Sequence, residues 1–349
     1  MLKTKGDRLL LLISLIFFLT SCRLLTEARE LPKILGNYPL CEPSAVVKIP
    51  CPDRDGDCLL VGDNEINDTL FVYPLNAGEL QAEQQQELSL ETIEISDIEA
   101  IALLENDRVL IFGSHSRNGN CETKTKRQRW LQAEINNNTI RPINEVVQTP
   151  KIDSRILFKD VDLENNEIIQ AVAKAIDNAE EVANLAKGNR DDCFATNHYN
   201  IEGAVAVNDN SVEPSIWLGM RSPLVTLDNK DLAILLHLQD INNYQFDRVT
   251  LLDLAGRGIR ELTLWQNYLW GIAGGPEDGL DNFVLWRFPL ELLQSNKIVQ
   301  PEIVRSLPPS SEGLVFVDST TAYILIDGNL GVSNDRCLVS GKFFKVIIP

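Results

Sequence analysis

The chain has 349 residues and an acidic composition, with 50 aspartates and glutamates against 32 lysines and arginines and a formal net charge of −18 at pH 7. This charge disfavours binding to nucleic acid and to anionic lipid headgroups, and it favours a cation or a basic partner. A low isoelectric point also serves solubility alone. The length suits one large all-β domain or two ordinary domains.

The N-terminal segment, residues 1–21, is typical of a secretory signal peptide. Basic residues precede an apolar stretch from Leu9 to Leu19, which is short for a membrane-spanning helix. The next residues, Leu19-Thr20-Ser21-Cys22, resemble the lipobox of bacterial lipoproteins, whose cysteine receives lipid and becomes the new N-terminus. We therefore expect cleavage before Cys22, attachment to a membrane through lipid on its sulfur, and a location in the bacterial cell envelope, on the periplasmic side or the outer surface. The alternative is an ordinary secretory signal in which Cys22 is incidental.

Further cysteines suggest an oxidising compartment. The six that remain are Cys41, Cys51, Cys58, Cys121, Cys193 and Cys337. An even number in an exported chain predicts disulfides, but the sequence does not choose among the pairings. Cys51 and Cys58 flank a short acidic loop and could close a hairpin.

A short phrase recurs along the chain, and each copy opens a strand–turn–strand pattern. The copies are Ile98-Glu99-Ala100-Ile101-Ala102, Ile201-Glu202-Gly203-Ala204-Val205, Ile259-Arg260-Glu261-Leu262-Thr263 and Ser311-Glu312-Gly313-Leu314-Val315. Apolar runs on both sides of a short polar turn predict paired strands. The later copies are spaced near the long end of propeller-blade repeats, roughly 40–50 residues, and the first gap is about twice as long, which predicts a concealed unit.

The repeat therefore predicts an all-β fold, a β-propeller with six blades, or with seven as the alternative. We expect one propeller domain over residues 41–349, preceded by a tether over residues 22–40. Strands from both termini are expected to cover the edge of the closing blade. Between Leu163 and Lys187 apolar residues recur at steps of three and four before Gly188, which predicts one inserted amphipathic helix near residues 163–187.

The charged residue of each phrase occupies one fixed place, which is beside the propeller axis if the phrase opens the innermost strand. The predicted ligand-binding residues of this axial mouth are Glu99, His115, Glu202, Arg221, Arg260, Glu312 and Asp327. The carboxylates of Glu99, Glu202 and Glu312 could hold Ca²⁺ or Mg²⁺. Arg221 and Arg260 could instead clamp an anion, or the charges could neutralise one another without a ligand.

Other chemistries lack support in the sequence. No Gly-x-Ser-x-Gly elbow accompanies the three histidines, no glycine-rich phosphate loop joins a strand to a helix, and no Cys/His set has zinc spacing.

Four segments in order resemble the bacterial family known as domain of unknown function 3616. They are Cys41-Glu42-Pro43-Ser44-Ala45-Val46 with Gly62-Asp63-Asn64-Glu65, Ile98-Glu99-Ala100-Ile101 with Gly113-Ser114-His115-Ser116-Arg117, Asn200-Ile201-Glu202-Gly203 with Leu218-Gly219-Met220-Arg221-Ser222-Pro223, and Gly256-Arg257-Gly258-Ile259-Arg260-Glu261. That family implies no established activity. More loosely, the Glu-Gly phrase looks like the strand openings of phytase-like and gluconolactonase-like propellers, in which such a glutamate can bind a catalytic calcium ion.

Two functional hypotheses follow. The first is an envelope lipoprotein whose propeller face binds a ligand or a protein partner. The second is a metal-dependent hydrolase of phosphoric esters or lactones, with calcium at the axial mouth.

Overall fold

The computed structural model describes residues 31–37, 39–90, 93–104, 107–136, 139–208, 214–276, 282–294, 296–328 and 339–348. The predicted signal peptide, Cys22 and Cys337 lie outside these ranges. Residues from Lys33 onward form one compact unit. A search of the described ranges finds no helix that is both long enough and apolar enough to cross a membrane.

The first part of this unit is built from antiparallel strands. A two-residue strand, β1 (Lys33–Ile34), comes first. Blade 1 consists of β2 (Pro43–Pro50), β3 (Asp57–Asp63), β4 (Thr69–Asn76) and β6 (Gln86–Ser89), with the short strand β5 (Glu79–Leu80) paired to β4. Blade 2 consists of β7 (Ile98–Leu103), β8 (Arg108–Gly113), β9 (Arg129–Asn136) and β10 (Thr139–Pro142), with β11 (Val147–Gln148) paired to β9.

A helical insert follows blade 2. It contains α1 (Ser154–Leu157), α2 (Glu167–Leu185) and α3 (Arg190–Phe194). Helix α2 begins where the side chain of Asn166 accepts a hydrogen bond from the backbone of Ile169. Its apolar face, with Ile169, Val172 and Ile176, packs into the core between blades 2 and 3. The inserted amphipathic helix is therefore confirmed.

Three more blades complete the ring. Blade 3 consists of β12 (Asn200–Val207), β13 (Ser215–Ser222), β15 (Lys230–Asp240) and β16 (Gln245–Leu252), with β14 (Val225–Leu227) paired to β15. Blade 4 consists of β17 (Gly258–Trp265), β18 (Tyr268–Gly274), β19 (Val284–Pro289) and β21 (Glu302–Ser306). In the chain, β19 and β21 are connected by a 3-10 helix (Leu290–Gln294) and by β20 (Lys297–Val299), which pairs with β16 of blade 3. Blade 5 consists of β22 (Ser311–Phe316), β23 (Thr321–Ile326), β24 (Lys342–Ile347) and the N-terminal β1.

The all-β propeller is confirmed, but the blade number differs from the expected six. In the part of the chain that the structure describes, five innermost strands contact one another in the cyclic order β2, β7, β12, β17, β22 and back to β2. Each neighbouring pair of blades shares one apolar cluster. The concealed blade that the sequence predicts between the first two copies of the phrase is not formed, and this part of the chain contains the helical insert. The direct contact of β7 with β12 leaves no place for another blade between them.

The closing blade contains strands from both ends of the chain, as expected. Strand β1 pairs with β24, with Lys33 opposite Phe343. The propeller thus begins at Lys33, inside the segment assigned to the tether, and Leu35 and Leu40 are buried in the core between blades 5 and 1. Two disulfides join Cys51 to Cys58 and Cys121 to Cys193, and Cys41 is also disulfide-bonded.

Candidate functional site

The repeated phrase has a structural meaning that its spacing alone does not reveal. In each of the five blades the innermost strand carries a β-bulge near its start, so that one residue has no direct partner on the second strand. These residues are Ser44, Glu99, Glu202, Arg260 and Glu312. Because a bulge re-aims the side chain of its extra residue, the five blades repeat one device at the same end of the propeller.

Arginines hold two of the three predicted carboxylates. Nη1 of Arg221 donates to Oε1 of Glu202 at 2.9 Å. Nη1 of Arg260 lies 3.2 Å from Oε2 of Glu202 and 3.2 Å from Oε1 of Glu312. Glu202 and Arg260 are almost fully buried, with side-chain exposures of 3% and 5%. The two guanidinium groups also donate to the backbone carbonyls of Gly275 and Pro276. Arg221 and Arg260 therefore pair with carboxylates, which favours mutual neutralisation of the charges over the alternative of an anion clamp.

Glu99 has a different environment. Its nearest described polar contact is the side-chain amide of Asn64, whose Nδ2 lies 3.5 Å from Oε1. Burial raises the pKa of the Glu99 carboxyl well above its ordinary value, and the charges of Glu202, Asp97 and Glu312 raise it further. The carboxyl of Glu99 is consequently protonated at pH values where an exposed glutamate is charged.

Two asparagines that the sequence analysis missed complete this mouth. Nδ2 of Asn200 donates to Oε1 of Glu202 at 3.0 Å. The amide oxygens of Asn64 and Asn200 are both buried, and neither accepts a hydrogen bond from the described residues. Its position could have indicated Asn200, because it lies two residues before Glu202 and therefore on the same face of the strand.

A buried carboxyl also binds the blades together beside the phrase. Glu261 accepts backbone hydrogen bonds from Leu262 at 2.8 Å, from Val46 at 3.3 Å and from Leu314. Burial raises the pKa of this carboxyl well above its ordinary value. Its contacts join blades 4, 1 and 5, so its role is structural.

The loop after β8 is fixed by side chains rather than exposed at the mouth. Asp97 accepts hydrogen bonds from the hydroxyls of Ser114 and Ser116, the second at 3.0 Å, and lies 2.9 Å from Nη1 of Arg127. Arg117 donates to Glu180 of helix α2 at 2.6 Å. Together with the Cys121–Cys193 disulfide, these contacts fasten the helical insert to the loop.

His115 is corrected from ligand candidate to structural residue. It is 1% exposed, and its ring stacks on Tyr244 with centroids 4.7 Å apart. Nδ1 donates to the carbonyl of Gly113 at 2.8 Å, so Nε2 accepts from the Thr149 hydroxyl at 2.5 Å. Burial lowers the pKa of His115 to about 4. Both ring nitrogens are used by the fold, because the backbone turns here at a φ of 61° and points the ring inward.

The last predicted residue, Asp327, follows β23 at the mouth end of blade 5, where its backbone N–H donates to the carbonyl of Ser310 at 3.0 Å. A polar cleft of about 690 Å³ opens between blades 1 and 2. Asn64, Asp97 and Arg127 line this cleft together with Lys124 and Lys126. Asn64 thus connects the cleft with Glu99.

The predicted three-carboxylate metal site is not formed. In the described ranges, no group of three or more His, Cys, Asp or Glu side chains is arranged to hold a metal ion. The reason is Arg260, which lies between Glu202 and Glu312.

No family model matches the chain and no curated protein matches it, so the resemblance to domain of unknown function 3616 is not supported. Among solved structures, the chain is similar to the PQQ-bound aldose sugar dehydrogenase from Streptomyces coelicolor, at 11% identity over 91% of this chain and 98% of that chain, with a TM-score of 0.41. A putative oxidoreductase (glucose dehydrogenase) from Thermus thermophilus has 11% identity over 91% and 99%, with a TM-score of 0.44. The calcium-binding protein regucalcin from Agrobacterium tumefaciens has 8% identity over 91% and 95%, with a TM-score of 0.40.

Proposed function

We propose that this protein is an exported, lipid-anchored β-propeller that binds a small polar ligand at its axial mouth. The observation that carries the proposal is the pair of buried amide oxygens of Asn64 and Asn200, which accept no hydrogen bond from the described residues. Buried polar atoms are nearly always hydrogen-bonded, and leaving one unsatisfied costs about 1–3 kcal/mol. A ligand with donor groups would remove this cost.

The surroundings support a small ligand over a protein partner. The cleft beside Asn64 is concave, and its volume of about 690 Å³ is in the range of small-molecule sites. Its lining mixes amides with both signs of charge, which suits a hydroxylated or zwitterionic molecule. The export and anchoring part of the proposal is supported by the apolar stretch from Leu9 to Leu19 and by the Thr20-Ser21-Cys22 that follows it.

Thermal melts of the mature protein against a panel of sugars, sugar acids, amino acids and phosphate esters test this proposal. We expect at least one compound to raise the melting temperature of the wild type, and Asn200→Ala and Asn64→Ala to abolish the shift. Asn242→Ala, at an exposed turn of blade 3, is the matched control and should keep it. A panel that shifts nothing, or one in which every shift survives in both mouth variants, would contradict the proposal.

Calcium is a second candidate, with a ligand set different from the predicted one. The unpartnered oxygens of Asn64 and Asn200 belong to residues that contact Glu99 and Glu202, and neutral and charged oxygens are the ligands that calcium prefers. If they bind calcium, the ion stabilises the protein by mass action, by about 2.7 kcal/mol at one hundred times the dissociation constant. Melts with EDTA and with millimolar calcium decide this, since no shift in the wild type removes both the calcium site and the calcium-dependent hydrolase. If calcium does shift the melt, hydrolysis of a nitrophenyl phosphate and of a lactone then tests the enzyme hypothesis.

A further inference from the structure

A second concave site lies at the end of the propeller opposite the axial mouth. It is a groove of about 520 Å³ between blades 3 and 4. The residues that matter for its chemistry are Asn208, Trp217, Arg248, Asn267, Tyr268 and Glu291. Glu202 of the mouth lies near the start of β12, and Val207, which lines the groove, lies at its end. The length of this strand therefore separates the two sites.

The groove contains an arginine that is held in place by a histidine and an aspartate. The guanidinium of Arg248 lies 5.5 Å from the ring centroid of Trp217, and its Nη2 lies 2.6 Å from Nε2 of His237. Nδ1 of His237 is hydrogen-bonded to the carboxylate of Asp247, which can only accept. His237 therefore donates through Nδ1 and accepts from Arg248 through Nε2, as a neutral imidazole does.

This arrangement fixes the orientation of the Arg248 guanidinium, and the Asp247 carboxylate balances part of its charge. The Asp247 carboxylate forms an ion pair with Nε of Arg248 at 3.7 Å, and the Arg248 side chain is 31% exposed. A guanidinium presents several N–H donors in one plane, which match carboxylate and phosphate oxygens. Because the charge is already oriented, binding an anion costs little side-chain entropy.

The remaining lining is suited to a hydroxylated ring. Asn208 and Asn267 are exposed and offer amide donors and acceptors, and the half-buried Tyr268 offers an aromatic surface with a polar end. Gln266 and Asn267 both have positive φ, 49° and 61°, which forms the tight turn that places Tyr268 at the edge of the groove. The exposed carboxylate of Glu291 is the opposing charge, and it penalises an anion bound close to it.

We propose that the groove between blades 3 and 4 is a binding site for an anionic sugar, with Arg248 pairing the carboxylate or phosphate group and the amides of Asn208 and Asn267 bonding the hydroxyls. This site is independent of the axial mouth, because no described lining residue of the groove belongs to the mouth cleft.

Calorimetric titration of the mature protein with glucuronate and with glucose 6-phosphate tests the proposal and separates the two anions, and glucose is the neutral comparison. At least one anion should bind saturably and glucose more weakly. Arg248→Gln should weaken anion binding about tenfold, and Glu291→Gln should tighten it. Arg155→Gln is the matched control, because this arginine is 82% exposed on helix α1 and carries the same charge.

Each other outcome overturns the proposal. The proposal is wrong if neither anion binds at millimolar concentration. It is also wrong if glucose binds as tightly as both anions, or if Arg248→Gln binds the anions like the wild type. Since Glu291 is exposed, Glu291→Gln tests the electrostatic sign even if Arg248→Gln perturbs folding. The mouth proposal is tested on Asn64→Ala and Asn200→Ala and this one on Arg248→Gln and Glu291→Gln, so a failure of one proposal is distinguishable from a failure of the other.

Discussion

Nη1 of Arg260 lies 3.2 Å from Oε2 of Glu202, which pairs a guanidinium of blade 4 with a carboxylate of blade 3 beside the propeller axis. The same nitrogen lies 3.2 Å from Glu312 of blade 5, so one side chain connects three blades. Glu202 and Arg260 are both β-bulge residues of the repeated phrase. The phrase therefore serves the closure of the ring as well as the candidate site.

Glu202→Gln should destabilise the protein. The substitution removes the charge that compensates Arg221 and Arg260, and removal of one partner from a buried ion pair typically costs about 3–5 kcal/mol. Urea unfolding of the wild type and the variant in EDTA measures this cost. If the variant is as stable as the wild type, the charge of Glu202 repels its neighbours more than it pairs with them.

Glu99→Gln should stabilise the protein at neutral pH and weaken the pH dependence of its stability. Below about pH 4.3 the carboxyl is protonated in both the folded and the unfolded chain. As the pH rises, the unfolded chain loses this proton while the folded protein keeps it, because the pKa of Glu99 is raised, and stability falls until the folded pKa is passed. Unfolding free energies at pH 5 and pH 8 test the sign. Equal pH dependence in both proteins would show that Glu99 is not the group responsible.

His115→Asn should remove part of the loss of stability in acid. The pKa of folded His115 is about 4, below its ordinary value of 6.5. Between pH 6.5 and pH 4 the unfolded chain therefore binds a proton at this residue that the folded protein does not bind. His115 therefore contributes stability that is present above pH 6.5 and is lost as the pH falls towards 4. Asparagine tolerates the left-handed backbone at this position. The variant should be less stable at pH 7, because the stacking on Tyr244 is lost, and its stability should change less between pH 7 and pH 5.

The two described disulfides should contribute unequally. Cys51–Cys58 closes a sequence separation of 7 and Cys121–Cys193 one of 72. In the chain-entropy model the longer loop is worth about 4 kcal/mol and the shorter about 2 kcal/mol. Paired Cys→Ser variants of each disulfide, compared by denaturant unfolding, measure the difference. A larger loss from the Cys51–Cys58 pair would mean that strain or packing outweighs loop entropy here.

Cys22→Ser should release the protein from the membrane fraction. The prediction follows from the small residues before Cys22 and from the apolar stretch that precedes them. Fractionation of cells that express each form, with immunoblotting, tests it. Membrane retention of a normally processed variant would show that the anchor is not the lipid on Cys22.

Much of the fold was predictable from the sequence because it depends on local patterns. Alternating apolar residues predicted the strands, and the step of three and four residues predicted helix α2. The number of blades was not predictable in this way. It depends on whether β7 packs directly against β12, and the length of the intervening segment is compatible with either a blade or a helical insert.

The sequence by itself determined that charged residues recur at one fixed place of each repeat, because the repeat is a local pattern. Only the tertiary structure decided what these charges do. Glu202 is neutralised by Arg221 and Arg260 from neighbouring strands, whereas Glu99 is buried beside Asn64 with a raised pKa. His115 shows the same limit, since its predicted place at the axial mouth suggested a ligand, whereas in the structure it is buried and its backbone is left-handed. Charge pairing and desolvation depend on distances between residues far apart in the chain, and the order of residues does not specify those distances.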